Sequence, residues 1–210
     1  MINRGCLENA LIQAKIPVYW FSGIFADMIP IFLTGMMGSG KTTTAKKLSY
    51  LLNTDYVDLD YLIAKSMDMT ISEIFRVHGE EYFRQLEAKT LRQSALPGNV
   101  IISTGGGTPC FHHNHLFMKD KGVVVWLNPP VDILSARLVH GRHHRPLIAD
   151  IQDKASMQDV ILQIMAERRT FYAVHDIEEN SRVVDFNVLA DKIRQVVFEK
   201  EKINQNNENK

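Results

Sequence analysis

Lys41 and Thr42 stand behind three glycines in the string GMMGSGKT, Gly35 to Thr42, which fits the pattern G-x-x-x-x-G-K-[ST]. The glycines let successive backbone N–H groups converge on a phosphate chain with no Cβ in the way. A helix N-terminus behind them adds partial positive charge. Lys41 is placed for the β- and γ-phosphates of a nucleotide, and the Thr42 hydroxyl for Mg²⁺. Asp58 and Asp60 flank a single residue. Read as alternate positions at a strand end, their carboxylates share one face. One suits a hard cation, directly or through water, and the other an acceptor hydroxyl. In GEEYFRQLE, Gly79 to Glu87, helical spacing sets Arg84 three residues from Glu87. There Glu87 can fix the guanidinium for a two-pronged grip on a carboxylate; a surface ion pair of small worth is the other reading. Gly105-Gly106-Gly107 is expensive in backbone entropy and makes sense where backbone N–H groups approach a ligand closely. His140, Arg142, His143, His144 and Arg145 crowd donors into a stretch without apolar periodicity. Such a stretch suits a flap that brings positive charge onto a transferring phosphate.

These groups need elements to hold them. Ile31-Phe32-Leu33 is a β-prone run entering the phosphate loop, and Thr43 to Leu52 carries Ala45, Leu48, Leu51 and Leu52 at helical spacing. Tyr56 to Asp60 reads as a second strand. Thr70 to Glu73 reads as a capping box opening a helix with Ile71, Ile74 and Phe75. His78-Gly79 breaks it, and a charged helix follows over 80–94. Val100-Ile101-Ile102 and VVVWL at 123–127 are unbroken apolar runs, as buried parallel strands are. Further helices are expected from about Val131 to Val139, from a Ser156 cap to about Tyr172, and from about Val188. A weak strand is expected near Val183-Val184. Strands alternating with helices predict a three-layer α/β/α domain with a parallel sheet of about five strands and a mobile lid. Right-handed crossovers gather the phosphate loop, the Asp58/Asp60 pair and the triple glycine at the C-terminal edge of that sheet.

The chain has 210 residues, room for one α/β domain with small additions. The domain is expected over 28–200, after an extension at 1–27 and before a polar, disordered tail at 201–210. Apolar content is 45%, and the formal net charge of zero gives no broad field toward nucleic acid or a membrane surface. Cys6 and Cys110 imply no disulfide framework, so a reducing cytosol is the simplest setting. The apolar run IPVYWFSGIF at 16–25 is about half of the ~20 residues a membrane span needs. No A-x-A-like site follows it, so it reads as an added segment or an upstream start ahead of Met28, with a signal peptide as the alternative. His112-His113-x-His115 and His140-x-x-His143-His144 invite a metal reading, but no cysteine or carboxylate joins them at ligand spacing.

Taken in order, GMMGSGKT, Asp58-x-Asp60, GEEYFRQLE, the triple glycine, RPLI at 145–148, and Glu167-Arg168 with Tyr172 four residues past the arginine resemble the shikimate kinases, over about residues 29–198. The resemblance implies a P-loop kinase of the nucleoside monophosphate kinase-like fold. It implies transfer of the ATP γ-phosphate to the 3-hydroxyl of shikimate, giving shikimate 3-phosphate and ADP on the way to chorismate and the aromatic amino acids. Mg²⁺, a cytoplasmic location and a monomer without nucleic-acid or membrane partners go with it. By the same resemblance Lys41, Asp60 and Arg145 are catalytic, with Asp60 either general base or orienter. Gly38, Ser39, Gly40, Lys41, Thr42, Thr43 and Arg145 hold ATP. Asp60, Arg84, Gly106 and Arg168 hold shikimate, and Thr42 and Asp58 attend the metal. The family's arginine seven residues before the lid arginine falls on Leu138 here, with Arg137 one step away, which implies a changed lid length; Arg182 is nearest to a family arginine by the last strand. A rival small-molecule kinase, such as a gluconate kinase, would share the phosphate loop but lack the GEEYFRQLE, triple-glycine and Arg168 set. A non-catalytic nucleotide-binding module is disfavoured by Lys41, Thr42, Asp58 and Asp60 occurring together.

Overall fold

The computed structural model describes residues 29–96, 100–141 and 153–208. Its five strands are β1 (Ile31–Thr34), β2 (Asp55–Asp58), β3 (Val100–Ser103), β4 (Val123–Leu127) and β5 (Ile177–Glu179). All neighbours are parallel, in the order β2-β3-β1-β4-β5. The helices are α1 (Lys41–Leu52), α2 (Leu59–Met67), α3 (Ile71–Ala95), α4 (Asn114–Lys121), α5 (Val131–Gly141), α6 (Lys154–Tyr172) and α7 (Phe186–Glu208), with a 3₁₀ turn at Thr108–Cys110.

Strand residues are apolar on both faces because helices cover both. Ile31, Leu33, Ile101, Val123 and Val125 face α1 and α7, against Ala45, Leu48, Leu189, Ile193 and Val197. The alternate residues Phe32, Ile102 and Val124 face α2, α3 and α4, against Leu59, Ile63, Ile74, Phe83, Leu91 and Met118. A third cluster joins Met36 and Trp126 to Leu134 and Leu138 of α5 and to Met157, Ile161 and Tyr172 of α6. The connection leaving β1 runs toward β2, while that leaving β3 crosses to β4. The sheet order therefore reverses between β1 and β3, and a crevice opens at their carboxyl ends, where ligands settle in such folds. Thr104 ties the two ends together: its N–H and its hydroxyl both donate to Leu33 O, at 3.2 and 2.9 Å.

Several expectations are corrected. The second strand stops at Asp58, whose side chain accepts from Tyr61 N at 3.2 Å and so caps α2. Asp60 thus lies in the first helical turn and is not a strand neighbour of Asp58. The capping box is present: Glu73 N donates to Thr70 Oγ1 at 3.2 Å and Thr70 N to the Glu73 carboxylate at 2.8 Å. Gly79 breaks α3 with φ 83° and ψ 170°. The cap of α6 is Asp153, which accepts from Ser156 N at 2.8 Å, so Ser156 supplies a backbone donor and not the cap. The last strand lies at Ile177–Glu179, because Asp176 N donates to Val124 O and starts the pairing there, leaving Val183 exposed. Helix α7 continues to Glu208, so the stretch 201–208 expected to be disordered is helical. Leu189, Ile193 and Val197 anchor that helix in the core, and each further residue then adds a hydrogen bond without a new nucleus. Helix α4 went unforeseen; it starts after His112 and His113, both in left-handed conformation. Among the described residues no helix is long and apolar enough to cross a membrane. The segment 1–28 and the flap at 142–152 lie outside the described residues.

Candidate active site

The loop between β1 and α1 turns on glycines in backbone conformations that other residues rarely adopt. Gly35 has φ 135°, and a Cβ there would sit 2.3 Å from Leu127 O; Gly40 has φ 96° just before the first residue of α1. Lys41 folds over the loop, its Nζ donating to Gly35 O at 2.8 Å and to Met36 O at 2.9 Å. The ammonium is thereby held above the backbone N–H groups that would meet phosphates. The Thr42 hydroxyl donates to Asp58 Oδ2 at 2.6 Å, and the Ser103 hydroxyl reaches the same oxygen at 3.3 Å. Three hard oxygen groups thus meet at the start of α1, a donor set that fits Mg²⁺. Ser39 Oγ is buried without a hydrogen-bond partner in the same loop.

Helix α5 props the loop from outside. Arg137 Nη1 donates to Gly38 O at 3.1 Å and to Ser39 O at 3.3 Å. Leu138 is fully buried and lies 3.0 Å from where a Gly38 Cβ would be. The one-residue offset noted in the sequence therefore turns Leu138 into packing and gives Arg137 the loop carbonyls. Arg182 pairs instead with Asp132 on the first turn of α5, Nη1 to Oδ1 at 3.2 Å. Thr43 borders a groove of about 840 Å³ between α1 and the loop before α7, with Lys47, Tyr50, Val183 and Asp185 among its walls. Neither Asp60 nor Arg84 lines that groove.

A second polar cluster is built around two buried charges. Glu87 is 0% exposed and Arg84 8%. Arg84 Nη1 donates to Glu87 Oε2 at 2.9 Å, while its Nε and Nη2 donate to Glu80 Oε1 at 3.1 and 3.0 Å. The Thr108 hydroxyl donates to the other Glu87 oxygen at 2.5 Å. The guanidinium also lies over the Phe111 ring, 4.1 Å from its centroid. The reading of Arg84 and Glu87 as a surface pair is thus overturned. Burial pushes the Glu87 carboxyl up, against the pull of Arg84 and the Thr108 hydroxyl. Asp60 keeps part of its surface open to the cleft, yet its carboxyl is raised to about 6. Desolvation is the main cause, the charges of Glu87 and Asp58 add to it, and Lys41 and Arg84 oppose it.

The triple glycine joins the two halves. A Cβ on Gly105 would lie 2.8 Å from Glu87 Oε1 and 3.1 Å from Asp60 Oδ1. One on Gly106 would lie 3.2 Å from Met37 N of the phosphate loop and 3.6 Å from Arg168 Nη1. One on Gly107 would lie 2.9 Å from both terminal nitrogens of Arg84. None of the three needs a left-handed φ; each is glycine for space. The structure thus brings Lys41, Thr42, Asp58, Asp60, Arg84, Gly106 and Arg168 to one crevice. Arg145 lies outside the described residues. Sequence reasoning missed Glu80 and Thr108 as partners of Arg84 and Glu87. Glu80 had a visible signal, four residues before Arg84 on the same helix; Thr108 had none, since only the fold brings it to Glu87. The histidines of the first tract serve the turn into α4, where His115 Nδ1 is 3.0 Å from Pro109 O.

Comparison with known proteins agrees with this geometry. The sequence profile of the family described as shikimate kinase matches residues 37–197. The shikimate kinase of Bacteroides thetaiotaomicron is 43% identical over 145 residues, which cover 69% of this chain and 82% of that protein. That of Flavobacterium johnsoniae is 42% identical over 164 residues, covering 75% and 94%. The crystal structure of the Bacteroides thetaiotaomicron enzyme superposes with a TM-score of 0.73 at 35% identity, covering 81% of this chain and 98% of that one. A shikimate kinase from Acinetobacter baumannii in complex with shikimate gives 0.73 at 29% identity, covering 84% and 96%. With a phosphate loop, a buried arginine–carboxylate cluster and a glycine wall between them, and with relatives that match across most of their length, the chain belongs to the shikimate kinase family.

Proposed function

We infer that the protein transfers the γ-phosphate of ATP to the 3-hydroxyl of shikimate, giving shikimate 3-phosphate and ADP for aromatic biosynthesis. The observation that carries this reading is the glycine wall. It sets a carboxylate-gripping arginine cluster and a raised-pKa acid within contact distance of a phosphate loop. A small acceptor with one carboxylate and several hydroxyls needs fixed guanidinium groups, backbone N–H donors and an acid. Arg84 and Arg168 take the carboxylate, and Gly106 and Asp60 take hydroxyls. Gly38 to Thr43 hold ATP, with the nucleoside end in the groove beside Thr43. Lys41 leaves its carbonyl contacts for the β- and γ-phosphates, and Arg145 closes over them from the flap. Thr42 and Asp58 would hold Mg²⁺, which neutralises phosphate charge when bound.

The transfer itself needs alignment and charge compensation more than covalent help. The acceptor oxygen attacks the γ-phosphorus, the bond to ADP breaks, and the hydroxyl proton passes to Asp60 or to solvent. A carboxyl titrating near 6 is largely ionised at pH 7 and close enough to neutrality to accept a proton usefully. Zero net charge and small diffusible substrates support a cytoplasmic monomer that needs neither nucleic acid nor membrane. The test is ADP release measured with shikimate, with gluconate and with no acceptor. Release that depends on shikimate is expected. Equal release with gluconate would make the chain a kinase of another acceptor, and none with any acceptor would make it a nucleotide-binding module.

A further inference from the structure

We propose that Tyr172 is a positioning residue for the acceptor, holding the Gly106 peptide and the Arg168 side chain in one fixed relation. Tyr172 is 1% exposed, and its hydroxyl donates to Gly106 O at 2.5 Å. The bond runs from the last residue of α6 to the loop after β3, 66 positions apart in the chain. The ring is itself pinned. It stacks on Trp126 of β4, with centroids 5.9 Å apart and planes 18° apart. His175 packs tilted against the same indole at 5.3 Å, and its Nδ1 lies 2.9 Å from Tyr172 O. Arg168 lies one helical turn before Tyr172, hence on the same face of α6. Its Nη1 stands 3.6 Å from the place of a Gly106 Cβ.

Two consequences follow from one hydroxyl. First, a trans peptide points its C=O and its N–H in opposite directions. Anchoring Gly106 O on Tyr172 therefore directs the Gly107 N–H away from the Tyr172 hydroxyl and fixes its orientation. Second, α6 begins just after the flap segment, and its C-terminal end is bolted to the glycine wall by this bond. Arg168, one turn before Tyr172 on the same helix, is thereby held in register with Gly106. Burial raises the phenol to about 12, so it stays a donor across the working pH range.

This role rests on the assignment of Gly106 and Arg168 to the shikimate side, and the experiment separates the two ideas. Tyr172→Phe keeps the ring stacked on Trp126 and removes only the hydroxyl, which donates to Gly106 O and pairs with the Arg168 side chain. Steady-state kinetics with each substrate varied, together with thermal melting, are measured for wild type, Tyr172→Phe and Arg168→Ala. The expected result is a shikimate KM raised about tenfold in Tyr172→Phe, the effect of losing one well-placed hydrogen bond, with the ATP KM within about twofold. A Tyr172→Phe enzyme with a normal shikimate KM, whatever its melting temperature, would overturn the proposal, as would an equal rise in both KM values. If Arg168→Ala also leaves the shikimate KM unchanged, the acceptor-side assignment fails; if Arg168→Ala raises it and Tyr172→Phe does not, only the positioning role fails. Should Tyr172→Phe not fold, Trp126→Phe keeps the hydroxyl and loosens the ring. It should raise the shikimate KM about threefold and spare ATP; no rise would count against the proposal equally.

Discussion

Asp60→Asn should make this protein more stable and far less active, with the gain in stability growing from about pH 4 and complete above about pH 6. The Asp60 carboxyl sits at about 6 against an ordinary 3.8, chiefly because it is desolvated, then because Glu87 and Asp58 add negative charge. A folded pKa above the unfolded one means that the native state binds the proton more tightly. Between about 3.8 and 6 the unfolded chain has already released it, so stability falls as pH rises through that window, and the full penalty applies above 6. Two pKa units at ~1.4 kcal/mol each give a penalty of about 3 kcal/mol, an upper bound because the group keeps part of its surface in the cleft. An amide of the same shape cannot ionise and should recover about 1–3 kcal/mol at pH 8. It cannot accept a proton either, so shikimate phosphorylation should fall by about 10²-fold or more. Urea unfolding of both proteins at pH 8 and pH 4, alongside ADP-release assays, checks this. A variant no more stable than wild type at pH 8, or equally favoured at pH 4, would refute the burial of charge as the cause. The wild-type kcat/KM for shikimate should itself drop about tenfold for each pH unit below 6.

Lys41→Ala should leave the fold intact and lower transfer by about 10²–10³-fold, since one lost transition-state charge contact is worth ~2–4 kcal/mol; activity within threefold of normal would exclude phosphate-loop catalysis. Arg84→Lys keeps the charge but cannot serve Glu87 and Glu80 in one plane, so calorimetry should find shikimate binding weaker by roughly 1.5–3 kcal/mol and ATP binding unmoved. The reverse pattern would assign Arg84 to the nucleotide. Asp176→Asn tests a network at the opposite edge of the sheet. There burial would raise the carboxyl, but Lys119 at 2.6 Å, Val124 N at 2.8 Å and Lys200 outweigh it and hold it low. Its contribution is present above the ordinary carboxylate pKa and lost in acid. The variant should therefore lose roughly 2–3 kcal/mol at pH 7, a loss that shrinks only as pH falls below about 3.8 toward the lowered value of the folded carboxyl, opposite in pH sense to Asp60→Asn.

What the sequence made legible follows from the range of each interaction. The phosphate loop is a run of neighbours whose chemistry is complete within eight letters, and the structure keeps it. Arg84 and Glu87 announce themselves by spacing, but spacing cannot distinguish a solvated pair from one whose acid is 0% exposed. That depends on Thr108, Phe111 and the glycine loop arriving from another part of the chain. Asp58 illustrates the opposite failure. Its alternation with Asp60 is a true strand period, and a single bond from Tyr61 N overrides it by starting a helix one residue too soon. Val183-Val184 has strand propensity, yet Asp176 claims the sheet edge first through Val124. Arg137 and Leu138 are one position apart in a helix, and only packing decides which of them meets the loop.

The glycine wall also bears on how this sequence can change over time. Every glycine codon has the form GGN, and each single-base change that alters the amino acid adds at least a Cβ. At 105 that atom would meet Glu87 Oε1 at 2.8 Å, at 106 Met37 N at 3.2 Å, and at 107 Arg84 Nη1 at 2.9 Å. Two of those neighbours are side-chain ends, but each is pinned by its own bonds, Glu87 by Arg84 and Thr108, and Arg84 by Glu87 and Glu80. A first step at 105 or 107 therefore requires a compensating second step elsewhere before it is tolerated, while one at 106 requires the phosphate-loop backbone at Met37 to give way by a few tenths of an ångström. The wall should be close to mutationally frozen, and chemical novelty in the acceptor would have to enter from the α2 and α3 side of the crevice, where side chains can change one at a time.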